Sequence, residues 1–279
     1  FLVFVMIDMV GIAKRYVNND DFISASKLEK PFIKGEMDVE IQKDKGHYRV
    51  MNFMVNPMND GSTSFFHNSV GGYHAAKPRR YQELYDFQIA KNNIDVLNML
   101  NTKYIIFPDE NNLANVQFNE EANGNAWFVE KVKFVNSANE EIKALDSLNT
   151  KLTAIVNIEF ETEIQNFEFQ KDTLAKIALV NYKANALIYE SNSTTNQLVV
   201  FSEMYYKNGW NAYVDGVLTP HFRTNYVLRA MIIPKGKHKI EFKFEPQVIK
   251  TGNTVALISY MLMLLIPVGW YFKERKSVA

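Results

Sequence analysis

Apolar positions recur at different periods along this 279-residue chain, and the changes of period divide it. His47 to Val55 (HYRVMNFMV) alternates polar and apolar residues, the pattern of a half-buried strand. Pro78 to Lys91 (PRRYQELYDFQIAK) puts Tyr81, Leu84, Tyr85 and Ile89 on one helical face, with proline at the first turn. Asp95 to Leu100 reads as a second short helix, and Lys103 to Phe107 as the strand after it. Strand, helix, helix, strand is the order of an α/β layer. Ala126 to Val135 reads as one alternating strand, Ala138 to Leu145 as a helix and Thr153 to Phe160 as a strand. Gly35 to Lys45 fits either element, because Met37, Val39 and Ile41 lie two apart but charges interrupt them. Asn56 to Lys77, rich in Asn, Gly, Ser and His, predicts a long ordered loop.

From Leu174 onward short strands follow one another: Ala175 to Tyr182, Ala186 to Glu190, Leu198 to Glu203, Asn211 to Val214, Leu228 to Ile233 and His238 to Phe244. Asn208-Gly209, Asp215-Gly216 and Pro234-Lys235-Gly236 mark turns between them. The pattern predicts an antiparallel β-sandwich of about 75 residues. The expected fold class is therefore α+β: a mixed α/β domain over residues 16–170, then a β-sandwich over 171–250, flanked by transmembrane helix segments.

The two ends carry the membrane signal. Val255 to Phe272 (VALISYMLMLLIPVGWYF) contains no charge, and at ~1.5 Å per residue it covers roughly 27 Å, close to a bilayer's hydrocarbon core. A transmembrane helix is expected over residues 254–272, with Trp270 and Tyr271 at an interface and Lys273, Arg275 and Lys276 in a cytoplasmic tail, 273–279. Lys14, Arg15 and Lys250 oppose that orientation, so the charge rule alone decides little. Phe1 to Ala13 is apolar apart from Asp8 and too short to cross; residues 1–15 read as the end of a truncated transmembrane helix. The expected location is the inner (cytoplasmic) membrane, with the lipid bilayer as a partner and the bulk of the chain extracytoplasmic.

Composition narrows the chemistry. Apolar residues make up 47%, with 20 Phe and 14 Tyr, enough to fill a packed core. Thirty-one basic and 31 acidic residues cancel, and no basic block stands out, which argues against nucleic acid. Without cysteine there are no disulfides, thiolate metal sites or cysteine nucleophiles. No phosphate loop, dinucleotide fingerprint, HExxH or GxSxG is present, so no catalytic residue, metal site or cofactor is expected. Asp20-Asp21 reads either as a metal-holding pair beside a membrane helix or as part of a solvated connector.

Two groups of residues are binding candidates. His67, His74, Lys77, Arg79 and Arg80 fall before and at the start of a predicted helix, the end that favours anions rather than cations. A bound anion would relieve that conflict, as would internal ion pairs with Glu83, Asp86 or distant acids. In the sandwich, Trp210, Tyr213, Arg223, Tyr226 and Arg229 resemble a sugar-binding surface, although in a sandwich such residues are more often core and cross-strand partners.

Four segments carry a family resemblance: DKGHYRVMNF (Asp44 to Phe53), SFFHNSVGGYHAAKPRRYQELYD (Ser64 to Asp86), LNMLNTKYIIF (Leu97 to Phe107) and FSEMYYKNGWNAYVDGVLTPHFRTNYVLRAMIIPKGKHKIEFKFEP (Phe201 to Pro246). Together they resemble the YfhO family of bacterial membrane proteins, across nearly the whole chain. The resemblance implies a polytopic protein built like lipid-donor glycosyltransferases, which move a sugar from a polyprenyl phosphate carrier to an envelope glycan outside the membrane. In such proteins the catalytic acids lie in the first outer loop, a region with no counterpart here, so no catalytic residue carries over. The role expected for this chain is accessory binding of a polyprenyl-phosphate-linked sugar or of the envelope glycan. The alternatives are a non-catalytic structural or interaction module of an envelope protein, and part of a transporter.

Overall fold

The computed structural model describes residues 1–165 and 167–277. Helix α1 (Leu2–Tyr16) stands clear of the rest of the chain, with no buried residue. Asn18 and Asp21 cap a single 3-10 turn, Asn19–Asp21, through Asp20 N–H to Asn18 Oδ1 and Asn18 N–H to Asp21 Oδ2. A short helix, α2 (Ala25–Glu29), follows. The ambiguous stretch resolves as helix α3 (Glu36–Ile41). Asp38 accepts the Gly35 N–H at 2.8 Å, and acids fill the first turn. Met37 and Ile41, four apart, pack inward while Val39 is exposed, so helical spacing prevails over alternation.

Strand β1 (Arg49–Asn52) runs parallel to β2 (Thr102–Pro108), and β3 (Ala114–Phe118) pairs antiparallel with β2. Between β1 and β2 lie α4 (Ser62–Phe66), α5 (Arg79–Phe87) and α6 (Ile94–Met99), the crossover that a parallel pair requires. The predicted loop from Asn56 to Lys77 thus contains one short helix.

The single strand expected over Ala126 to Val135 is two strands in two sheets. Strand β4 (Ala126–Phe128) ends before Val129, whose N–H reaches the Leu198 carbonyl at 3.1 Å. Glu130 N–H then turns to the Leu152 carbonyl at 2.8 Å. Strand β5 (Lys131–Val135) pairs parallel with β6 (Thr153–Asn157) across helix α7 (Ala138–Lys143). A 3-10 segment, Ile158–Glu163, replaces the end of the strand predicted to Phe160.

Eight further strands join β4 in the sandwich: β7 (Lys176–Lys183), β8 (Ala186–Ser193), β9 (Gln197–Met204), β10 (Trp210–Val214), β11 (Val217–Thr219), β12 (Phe222–Thr224), β13 (Leu228–Ile233) and β14 (Gly236–Phe244). One sheet has the order β11-β10-β14-β8-β7, the other β12-β13-β9-β4. Three-residue β11 and β12 are additions to the sequence-based expectation, being too short to show an alternation. Tyr189, Phe201 and Phe242 meet edge to face between the sheets, with Phe201 centroids 4.8 and 4.9 Å from the other two. Each buried ring of this kind contributes about 1.5–3 kcal/mol by transfer and about 1 kcal/mol more per well-oriented pair.

Strand β9 is buried along its apolar run because both of its faces are covered. Val199 and Phe201 face the sandwich interior. Leu198 and Val200 face a second core with Leu97, Trp127 and Ile155, so packing is continuous across residue 170. The last element, α8 (Gln247–Ser277), starts directly after β14. Its portion Gln247–Val268 is long and apolar enough to cross a membrane, and none of it is buried against the protein. The side chains of the predicted interface residue Tyr271 and of Lys273, Arg275 and Lys276 lie outside the described residues.

Candidate functional site

The five basic residues of the 67–80 stretch do not converge. His67 Nε2 lies 2.8 Å from Asp38 Oδ1 of α3. His74 Nδ1 accepts the Ala76 N–H, and its side chain is exposed. Lys77 Nζ donates to the Met58 carbonyl at 3.3 Å and to Gln82 Oε1 at 3.2 Å. Arg79, 91% exposed, holds Glu83 one helical turn on, with Nε 2.8 Å from Oε1. Arg80 points the other way, into the protein.

There it meets Glu141, a fully buried carboxylate of α7. Arg80 Nη1 donates to Glu141 Oε2 at 3.1 Å, Tyr226 N–H donates to Oε1 at 3.0 Å, and Arg223 Nε lies 3.6 Å from Oε1. Arg223 also reaches Glu159 at 2.6 Å, and Arg80 stacks 4.5 Å from the Tyr226 ring centre. Asn225 and Tyr226 both adopt positive φ, 47° and 71°, an uncommon state for a bulky residue. Every polar group of Tyr226 helps to hold it there: N–H to Glu141, carbonyl to Arg80, and hydroxyl to Glu83 at 2.6 Å. That hydroxyl bond, with Arg79 and Arg80 nearby, holds the Glu83 carboxyl below its ordinary range. Burial and then Glu83 push the phenol up to about 12.

Arg229 and Trp210 sit apart from this network. Arg229 is 2% exposed; its guanidinium lies 4.6 Å from the Trp210 ring centre and 4.8 Å from that of Phe242. Its Nη2 donates to the Met204 carbonyl at 2.8 Å, while Nε and Nη1 have no partner among the described residues. Burial draws its pKa down to about 10, against the pull of Glu203. Glu203 is met by Arg49 at 3.4 Å and by His47 at 3.5 Å, and His47 stacks on Tyr182 at 3.8 Å. Burial alone would raise Glu203, but His47, Arg49 and Arg229 together hold it below the ordinary value.

Sequence reasoning missed both carboxylates, buried Glu141 and half-buried Glu203, although a signal existed for each. Ala138, Glu141, Ile142 and Leu145 fall at i, i+3, i+4 and i+7, so one acid lies on an apolar stripe. Glu203 follows directly on the buried run of β9.

A cleft of about 830 Å³ opens where the sandwich meets the first turn of α8. Tyr206, Lys207, Asn211, Tyr213, Glu245 and Lys250 line it. Glu245 accepts from Asn211 Nδ2 at 3.0 Å and from the Tyr213 hydroxyl at 2.7 Å. Those bonds hold the Glu245 carboxyl low and push the Tyr213 phenol up. Gly209 allows this corner to close: its φ is +137°, and a Cβ there would stand 2.7 Å from the Phe244 ring. The cleft therefore presents fixed acceptors and donors, two lysine charges and aromatic edges beside an apolar helix.

No curated protein matches the chain, and no solved structure does. Residues 67–256, well over half of the sequence, match the family described as bacterial membrane protein YfhO. That span includes Arg80, Glu141, Tyr226 and Arg229, the cleft, and the beginning of the apolar helix. The chain therefore belongs to the YfhO family of bacterial membrane proteins.

Proposed function

We propose that this chain is the extracytoplasmic, membrane-anchored part of a glycosyltransferase-like protein using a lipid-linked sugar donor, and that it contributes binding. The observation carrying this reading is the cleft at the start of α8. A polar head carried by a lipid emerges from the bilayer at that level, where an apolar helix gives way to Lys250, Lys207, Asn211 and Tyr213. Lysine charges suit a phosphate, while the amide, phenol and carboxylate suit sugar hydroxyls. On this reading Asn112 is outside the cell and the end of α8 inside.

The test uses the full-length protein in nanodiscs, titrated with a polyprenyl-phosphate sugar. Lys207→Gln with Lys250→Gln weakens binding about tenfold, the loss of about 1.4 kcal/mol. Equal binding by the variant and the parent protein overturns the assignment of the cleft. A second reading, a docking module without sugar contact, draws on the internal commitment of Arg79, Arg80 and Arg223 to Glu83, Glu141 and Glu159. It requires that no sugar donor bind at all.

A further inference from the structure

The end of the sandwich far from α8 holds a histidine with an acceptor at each ring nitrogen. His238 of β14 places Nδ1 2.6 Å from Asp215 Oδ2 and Nε2 3.1 Å from the Lys235 carbonyl. A neutral imidazole has one N–H and one lone pair, so it satisfies only one of these acceptors; the imidazolium satisfies both. Both partners are fixed independently of the ring. Asp215, in the β10–β11 turn at φ +50°, accepts the Lys239 N–H on Oδ1 at 2.9 Å and donates its own N–H to the Lys239 carbonyl at 2.9 Å. Lys235 N–H is held by Asn196 Oδ1 at 3.0 Å. Gly236, at φ +121°, leaves the space through which the ring folds back, since a Cβ there would stand 3.2 Å from His238 Nε2.

We propose that His238 is a pH-operated latch: as imidazolium it ties the β13–β14 turn to the β10–β11 hairpin, and on losing a proton it releases the Lys235 carbonyl. The order of release follows from the contacts. The shorter bond is to a carboxylate, so the remaining proton stays on Nδ1. The Nε2 lone pair then faces the carbonyl oxygen, and the turn carrying Lys235 and Gly236 moves away. The charged surroundings are mixed. Lys237 and Lys239 on β14 and Lys176 on β7 disfavour the cation, while Glu190 on β8 favours it; Ser191, the register partner of His238, is neutral. Lys239 is itself engaged by Glu241 at 3.2 Å, and Asp215 is the one carboxylate in ion-pair contact with the ring among the described residues. The bond to Asp215 and then the Lys235 carbonyl raise the His238 pKa despite partial burial. With the folded value above the unfolded one, the latch is fully closed below about 6.5 and opens as pH rises through the folded value.

The experiment is a pH titration of the full chain in detergent micelles with 15N-labelled histidine. Both His238 nitrogens are expected to be protonated at pH 6.5, with a midpoint above it. Across that midpoint the exchange protection of the Gly236 and Lys237 amides, corrected for base catalysis, is expected to fall about threefold or more. Asp215→Asn is expected to lower the midpoint. A midpoint at or below 6.5 in the parent protein, or protection flat across it, overturns the latch. An unchanged midpoint in a folded Asp215→Asn protein does the same. Should that variant not fold, the titration of the parent protein decides alone.

Discussion

Replacing Glu141 with alanine probes the network that the sequence placed at a helix start and the structure places at a buried carboxylate. Three effects combine. The Tyr226 N–H loses its acceptor in a buried site, costing about 1–3 kcal/mol. Removing one member of a buried ion pair ordinarily costs about 3–5 kcal/mol, but Arg80 is 32% exposed and Arg223 keeps Glu159, so solvent and the remaining partner absorb most of that. Relaxation of the positive-φ turn at Asn225 and Tyr226 returns about 1 kcal/mol. The expected net loss is about 2–4 kcal/mol, a fall in melting temperature of about 5–15 °C for a chain of this size. Thermal and denaturant melts in detergent measure it. Arg79→Gln is the control: an exposed pair one helical turn apart is worth about 0.3–0.5 kcal/mol. Arg80→Gln falls between, at about 1–2 kcal/mol, because Tyr226 and Arg223 remain on Glu141. If Glu141→Ala melts within about 1 kcal/mol of Arg79→Gln, the network carries no stability and the reasoning fails. If Arg80→Gln instead melts normally while function of the full-length protein is lost, Arg80 serves an anion rather than Glu141.

His221 provides a pH prediction opposite in sign to that for His238. Burial, then Arg229, draws its pKa from 6.5 down to about 4. Between those values the unfolded chain binds more protons, so stability falls as pH drops through about 6.5 and levels near 4, by an amount on the order of 2–3 kcal/mol. Its ring meets Tyr205 and Phe242 edge to face, so His221→Phe keeps the packing and flattens this limb of the stability curve; an unaltered acid limb would refute the assignment. Gly209→Ala should cost about 2 kcal/mol or more and disturb the cleft, because a positive φ and the Phe244 ring both oppose a Cβ. Gly216→Ala, with positive φ but open space, should cost only about 1 kcal/mol, and equal losses at the two sites would show that the contact with Phe244 is immaterial.

What the sequence determined by itself was whatever local periodicity and length encode. The apolar run that became α8 and the alternation of β7 and β13 each specify an element, and the stripe of α5 and the alternation of β8 and β14 specify a buried face as well, without reference to the rest of the chain. The order of strand, helices and strand was enough to imply the β1–β2 layer, because a parallel pair needs a crossover. Partnership was not encoded locally. The alternation of Ala126 to Val135 suits one strand or two, and only the positions of Val199 to Phe201 and Thr153 to Asn157 assign its halves to different sheets. In α3, spacing two and spacing four were both present, and the Gly35–Asp38 cap with the packing of Ile41 decided between them. The site followed the same division. Glu140 and Glu141 are equivalent as letters, yet one caps Asn136 at the surface and the other anchors Arg80 and Tyr226 from 61 and 85 positions away. A charge of Arg80's kind is visible in the sequence, but its partner is set by which distant elements pack together, and that is decided only when the core closes.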